Sequence, residues 1–220
     1  MKNNMDYNGN IVKKEDIKNA LIERHSKTVQ DKLDVGSVAI AGLGGLGSNV
    51  AYSLTRIGVG HLHLIDFDVV DITNLNRQQY FVRHIGMNKT EALKELLLDI
   101  NPYIDIRLDT VRVTKDNIKE LFAEDDIICE AFDVPENKAM LALGVRSIYP
   151  DKPYITASGM AGYGDSNSII TKKVSNNFYL CGDGKTAPRE GYGLMAPRVA
   201  ICANHEANLI AKLLIDGTDD

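Results

Sequence analysis

The stretch Val38–Val50, VAIAGLGGLGSNV, constrains this chain more than any other. A run of small and β-branched apolar residues leads into Gly42, Gly44, Gly45 and Gly47, and then into a segment with apolar residues at helical spacing. Glycines in that setting let the backbone turn tightly and let phosphates come close. The helix start adds free amides and partial positive charge. A strand, a phosphate-holding loop and a helix therefore open an α/β unit here. The loop by itself leaves two ligands open, the pyrophosphate of a dinucleotide such as NAD or the phosphates of ATP.

The rest of the chain keeps that rhythm. Short apolar runs at 37–42, 61–66, 104–111, 126–133 and 153–157 predict five strands. Between them, 45–57, 88–99, 115–123 and 135–147 show helical periodicity, as does 14–27 ahead of the first strand. Strand and helix alternating in this way predict a parallel sheet with helices on both faces. The glycine-bounded 162–173 predicts a further strand, and a last helix runs from near Pro197 to about Ile215 and stops at Gly217. Residues 1–12 are polar and predicted loose; 175–197 are Gly-rich, and the pattern predicts an irregular functional loop. The fold class is α/β, a Rossmann-like doubly wound, mostly parallel sheet. It carries an N-terminal helical segment over 1–36 and antiparallel C-terminal strands within a main unit over 37–220.

Composition narrows the function. The chain of 220 residues has 25 Lys and Arg against 30 Asp and Glu, a net charge of −5, which argues against a nucleic-acid partner. Its three cysteines, Cys129, Cys181 and Cys202, form no C-x-x-C pair; a reducing compartment and no zinc site are expected. No apolar run approaches the ~18 residues of a membrane span. The opening MKNNMDYNGN lacks the apolar stretch of a signal peptide, so a cytoplasmic protein is expected.

The residues after the loop separate the two ligands. Asp66 ends the second strand, where NAD-binding folds hold the ribose. The sequence then continues DFDVVDITNLNRQQYF, with Asp68, Asn74 and Arg77, and Lys89 opens the next helix. Asp133 closes the fourth predicted strand. The carboxyl ends of parallel strands share one edge, so these residues converge on one site. An NAD-dependent oxidoreductase leaves Arg77, Lys89 and Asp133 unused, whereas ATP with Mg2+ needs cations on the phosphates and a carboxylate on the metal. Taken singly, Lys89 reads as a solvated helix end, Asp133 as a helix cap and Arg77 as a surface ion pair of small value. His61 and His63 read as packing or surface residues.

The ordered set GLGGLGS (42–48), DFD (66–68), NLNRQ (74–78), G-x-x-K (86–89), AFD (131–133), ITASG (155–159) and MAP (195–197) resembles the ThiF/MoeB/HesA family of the ubiquitin-activating-enzyme superfamily. The resemblance covers about residues 20–215 and is strongest to short ThiF-type adenylyltransferases of thiamine biosynthesis. It implies ATP and Mg2+ as cofactors and, as partner, a small ubiquitin-like sulfur carrier (ThiS-like) ending in Gly-Gly. It places Gly42, Gly44, Gly45 and Gly47 against the phosphates, Asp66 and Asp68 in the nucleotide site with Asp66 on the ribose, and Asn74, Arg77 and Lys89 on the phosphates. Asp133 would bind Mg2+. It also implies a homodimer in which Arg24, or less well Lys27, reaches the partner's ATP. The carrier of molybdopterin or a tRNA carboxylate are the other acceptors it allows. Family members with a thioester-forming cysteine carry it before the last helix. Here KTAPREGYGLMAP has none, leaving Cys181 as the one substitute, and Gly182, Gly184, Gly191 and Gly193 are expected to line a channel for the carrier's tail.

Overall fold

The computed structural model describes residues 4–6 and 8–218. The sheet has seven strands in the order β3-β2-β1-β4-β5-β7-β6. These are β1 (Ser37–Ala41), β2 (His61–Ile65), β3 (Asp105–Asp109), β4 (Ile127–Glu130), β5 (Tyr154–Ala157), β6 (Ile170–Ser175) and β7 (Phe178–Gly182). All neighbours are parallel except β6 and β7, which are antiparallel. The strands β1, β4 and β5 are mostly apolar and buried on both faces, because both faces are covered.

One face of the sheet carries α3 (Gly45–Arg56), α4 (Lys89–Ile100) and α7 (Ala196–Asp216); the other carries α5 (Ile118–Leu121) and α6 (Pro135–Ile148). Helix α7 presents Val199, Cys202, Ala203, Ala207, Ile210 and Leu213 to the core at helical spacing. Truncating Ile210 to alanine costs about 2–5 kcal/mol by the usual cavity term. The helix ends at Gly217, whose φ of 84° an L side chain rarely adopts.

Several sequence expectations change, among them the strand predicted over 162–173, which is a short turn at Ser166–Ser168 followed by β6. The predicted helix over 14–27 is two helices, α1 (Lys14–His25) and α2 (Lys27–Val35), broken at Ser26. The Ser26 side chain accepts from the Val29 amide and so starts α2. The stretch 175–197 is not irregular throughout: 178–182 is β7, inserted beside β5. Asn177, with φ 55°, makes the tight turn from β6 into it. Within 1–12, the described residues form a closed loop in which Asp6 accepts from the Asn8 and Asn10 amides, with Met5 bridged to Ile11; residues 1–3 and 7 lie outside the described ones.

The chain leaves β1 toward β2 on one side, and β4 lies on the other side of β1. At such a switch in strand order the loops diverge and leave a crevice at the carboxyl ends of the strands. The glycine loop after β1 and the turn after β4 meet in that crevice.

Candidate functional site

The crevice is a cavity of about 570 Å³ lined by residues from the segments that leave the carboxyl ends of β1 to β5. The glycine loop forms its floor. Gly42 has φ 95°, and a Cβ there would lie 2.9 Å from the Ala131 carbonyl oxygen. A Cβ at Gly47 would sit 1.9 Å from the Gly42 oxygen, so α3 can start this close to β1 only with glycine. Gly42, Gly44 and Gly45 line the cavity; Gly47 lies behind them in the first turn of α3.

Asp66 is 8% exposed and is held from two sides. Its carboxylate accepts from the Leu43 amide at 2.7 Å and from the Asp68 amide at 2.8 Å. It thereby ties the glycine loop to the end of β2. Lys89, the first residue of α4, is 7% exposed and donates to Asp68 Oδ2 at 3.0 Å, with Asp66 Oδ2 at 4.0 Å. A buried ammonium is costly unless paired, and the two aspartates supply that pairing. Asn74 closes the short turn Ile72–Asn74 by accepting from the Asp71 amide at 2.9 Å. Arg77 is half-buried; its guanidinium donates to Thr73 O at 3.2 Å and Asn76 Oδ1 at 2.7 Å. The Asn49 amide, reaching from α3 to the Arg77 carbonyl at 3.2 Å, fixes that segment over the loop. All of Asp66, Asp68, Asn74, Arg77 and Lys89 line the one cavity.

Asp133 also lines the cavity, but not as the end of a strand. β4 stops at Glu130, because that side chain turns back to accept from the Phe132 amide at 2.6 Å. Asp133 comes next on the resulting turn, exposed, just ahead of α6, and no group among the described residues bonds its carboxylate. It is a hard oxygen donor open to the cavity, which suits Mg2+. That ion takes one or two carboxylates and fills its remaining positions with water and phosphate oxygens.

Two residues pass unnoticed in the sequence. Lys138 lines the cavity and pairs with Glu130, which is fully buried. A glutamate in a strand and a lysine in a helix carry no signal of their own; only the fold buries one and turns the other toward it.

Other expectations place elsewhere. Arg24 is exposed on α1, which packs on α2 and lies by Gly58, ahead of β2. That is the sheet edge opposite the cavity, so Arg24 is outside its own chain's site; Lys27 pairs with Asp31. Cys181 sits in β7, fully buried, and burial pushes its thiol up to about 12. It is a packed thiol, not a loop nucleophile. The cavity wall on that side is built from Gly159, Thr186, Ala187, Pro188 and Leu194 rather than from Gly182, Gly184, Gly191 and Gly193. Gly182 instead allows two loops to touch, since a Cβ there would lie 1.9 Å from Ser158 O. His63, in β2, is buried between Asp109 of β3 (2.8 Å) and Asp125 ahead of β4 (2.9 Å), and does not line the cavity.

The sequence matches the family model described as "ThiF family" over residues 17–220. The chain belongs to the ThiF family. Among its curated relatives is the adenylyltransferase and sulfurtransferase UBA4 of Candida glabrata, 33% identical over 136 residues, which is 61% of this chain and 31% of that protein. Another is the probable adenylyltransferase/sulfurtransferase MoeZ of Mycobacterium tuberculosis, 32% identical over 130 residues, 59% of this chain and 33% of that one. This ThiF-family chain thus spans about a third of the length of such relatives. In fold it is similar to the E. coli tRNA N6-threonylcarbamoyladenosine dehydratase TcdA solved with AMP. The TM-score is 0.82 at 20% identity, with 94% of this chain and 98% of that one covered. It is also similar to E. coli MccB solved with ATP, with a TM-score of 0.67 at 26% identity and 87% and 59% covered.

Proposed function

We propose that this chain activates a carboxylate with ATP. The C-terminal glycine carboxylate of a small ubiquitin-like sulfur carrier, ThiS-like and serving thiamine biosynthesis, attacks the α-phosphorus. A bond forms from carboxylate oxygen to phosphorus. The bond from phosphorus to the bridging oxygen breaks, and its electron pair leaves with pyrophosphate. The observation that carries this reading is the convergence of the glycine loop, Arg77, Lys89 and Asp133 on one cavity at the switch in strand order.

The chemistry asks for what these residues offer. The nucleophile is ionised at neutral pH, so no general base is needed. The difficulty is bringing one anion to another, which positioning and fixed positive charge relieve. Lys89 and Arg77 supply that charge on the phosphates, the amides of Gly44 and Gly45 line the loop, and Asp66 takes the ribose. Asp133 would hold Mg2+, which when bound offsets charge on the phosphates. Curated relatives named as adenylyltransferases, and MccB solved with ATP, support the reaction class. We take the working form to be a cytoplasmic homodimer in which 1–36 serves the partner's site and 37–220 forms the adenylation unit.

The test is to mix the chain with ATP, Mg2+ and candidate carriers ending in Gly-Gly and to weigh the carriers. A gain of one AMP, with exchange of labelled pyrophosphate into ATP, is expected. Quenching of nicotinamide fluorescence without any exchange, carrier present, would sink the reading in favour of a dinucleotide enzyme. Adenylate on a tRNA and on no carrier would change the acceptor but keep the reaction.

A further inference from the structure

We propose that Lys138, anchored by Glu130, is a positioning residue that holds Asp133 in the orientation needed to bind a divalent cation. The proposal rests on the reading of Asp133 as the metal ligand and adds what fixes that ligand in place.

Glu130 is wholly buried at the end of β4, yet each of its oxygens is engaged. One accepts from the Phe132 amide at 2.6 Å and from Lys138 Nζ at 2.9 Å. The other accepts from the Thr156 hydroxyl of β5 at 2.5 Å and also lies 2.9 Å from Lys138 Nζ. Lys138 uses a further proton on the Phe132 carbonyl at 3.1 Å. The ammonium thus closes a ring around residues 130–132. It grips the turn by a backbone carbonyl and by the carboxylate that itself grips the backbone amide.

The next residue is Asp133, whose own carboxylate has no partner among the described residues. Its orientation is therefore set by its backbone, held by the turn behind it and by the start of α6 ahead of it, where Val134 O accepts from the Lys138 amide at 3.1 Å. The same turn touches the glycine loop: the Ala131 amide donates to Ala41 O at 2.8 Å, and Ala131 O stands against Gly42. Locking 130–132 therefore fixes Asp133, which would hold the cation, relative to the phosphate loop. Groups that hydrogen-bond a metal ligand orient it, and their loss costs ~10–100-fold in metal affinity; Lys138 does the same through the backbone, by its bonds to Glu130 and the Phe132 carbonyl. Glu130 also neutralises Lys138, so the lysine can grip the turn without adding net repulsion toward a cation at Asp133. In this arrangement Lys138 acts through the loop rather than on the nucleotide.

Manganese, which reports its own binding by electron spin resonance, serves as the probe. The whole chain is titrated with Mn2+ in the presence of a non-hydrolysable ATP analogue, and the analogue's affinity is measured separately without metal. Lys138→Met is expected to weaken Mn2+ binding ~10–100-fold, Lys138→Arg to recover most of it, and neither to change metal-free analogue binding. Asp133→Asn is expected to weaken Mn2+ binding as well. Lys138→Met binding Mn2+ like the wild type while Asp133→Asn does not would overturn the proposal alone. So would an equal loss of metal-free analogue binding in Lys138→Met, since the lysine would then act on the nucleotide. Wild-type Mn2+ affinity in Asp133→Asn would overturn the reading of Asp133 itself. If Lys138→Met does not fold, because it strands the buried Glu130 carboxylate, the double variant Glu130→Gln with Lys138→Met is read against the same outcomes.

Discussion

Lys89 combines burial with pairing: it is 7% exposed, bonded to Asp68 and 4.0 Å from Asp66. A cation fixed in advance needs no reorganisation when charge builds on a phosphate, which is why such groups are worth more inside a site than in water. Lys89→Ala should lower the rate of ATP–pyrophosphate exchange roughly 10²–10³-fold, with a smaller change in KM for ATP. Exchange at the wild-type rate would show that Lys89 serves only to pair the aspartates. Asp66, Asp68, Arg77 and Lys89 were legible as lining the crevice because all four lie in the one segment that leaves the carboxyl end of β2 and leads into α4. Glu130 and Lys138 were not, because nothing in ICEAFDVPENK says that β4 will stop at Glu130 and bury its carboxylate. Asp133 was legible as a site residue but assigned to a strand; the Glu130 side chain bonding the Phe132 amide ends that strand early.

At the scale of elements, the central strands β1, β4 and β5 were readable from their mostly apolar runs, since burial on both faces removes most polar residues; the edge strand β3, DIRLD, was readable from its place in the strand–helix rhythm. The antiparallel pairing at the C-terminal end was expected, but β7 was not placed within 175–197, because Gly182 and Gly184 after FYLC blur its end and its turn rests on the left-handed Asn177 rather than on glycine. α7 was readable in full, but one of its residues departs from the apolar stripe. Glu206 is wholly buried on the inner face, and neither of its oxygens has a partner among the described residues. Burial pushes its carboxyl up to about 8, Lys138 opposes this and Glu130 adds to it. The folded chain thus keeps a proton that the unfolded chain releases near the ordinary 4.5. Between those two values the native state binds more protons, so stability falls as pH rises through the window and levels off above about 8. Glu206→Gln removes this dependence. Thermal melts of the two proteins across the window should show the variant gaining on the wild type with each step in pH. Parallel melting curves would mean that Glu206 stays ionised in the fold.

The whole molecule leaves one expected contributor unplaced. Arg24 stands at the sheet edge opposite its own cavity, on the exposed side of α1. A single chain cannot bring it to the phosphates without dismantling the packing of α1 on α2, where Lys18 holds Asp34 at 2.5 Å and His25 meets Gln30 at 2.8 Å. If Arg24 acts, it acts on a second copy, and that has an arithmetic consequence. Arg24→Ala and Lys89→Ala should each be inactive as homodimers. When the two are unfolded and refolded together in equal amounts, about half of the dimers are mixed. Each mixed dimer holds one doubly impaired site and one with both residues intact, so pyrophosphate exchange should return to about one quarter of the wild-type rate. An Arg24→Ala protein that exchanges normally on its own would remove the arginine from the site. An inactive one that no mixing rescues would place its effect on the folding of α1 within its own chain.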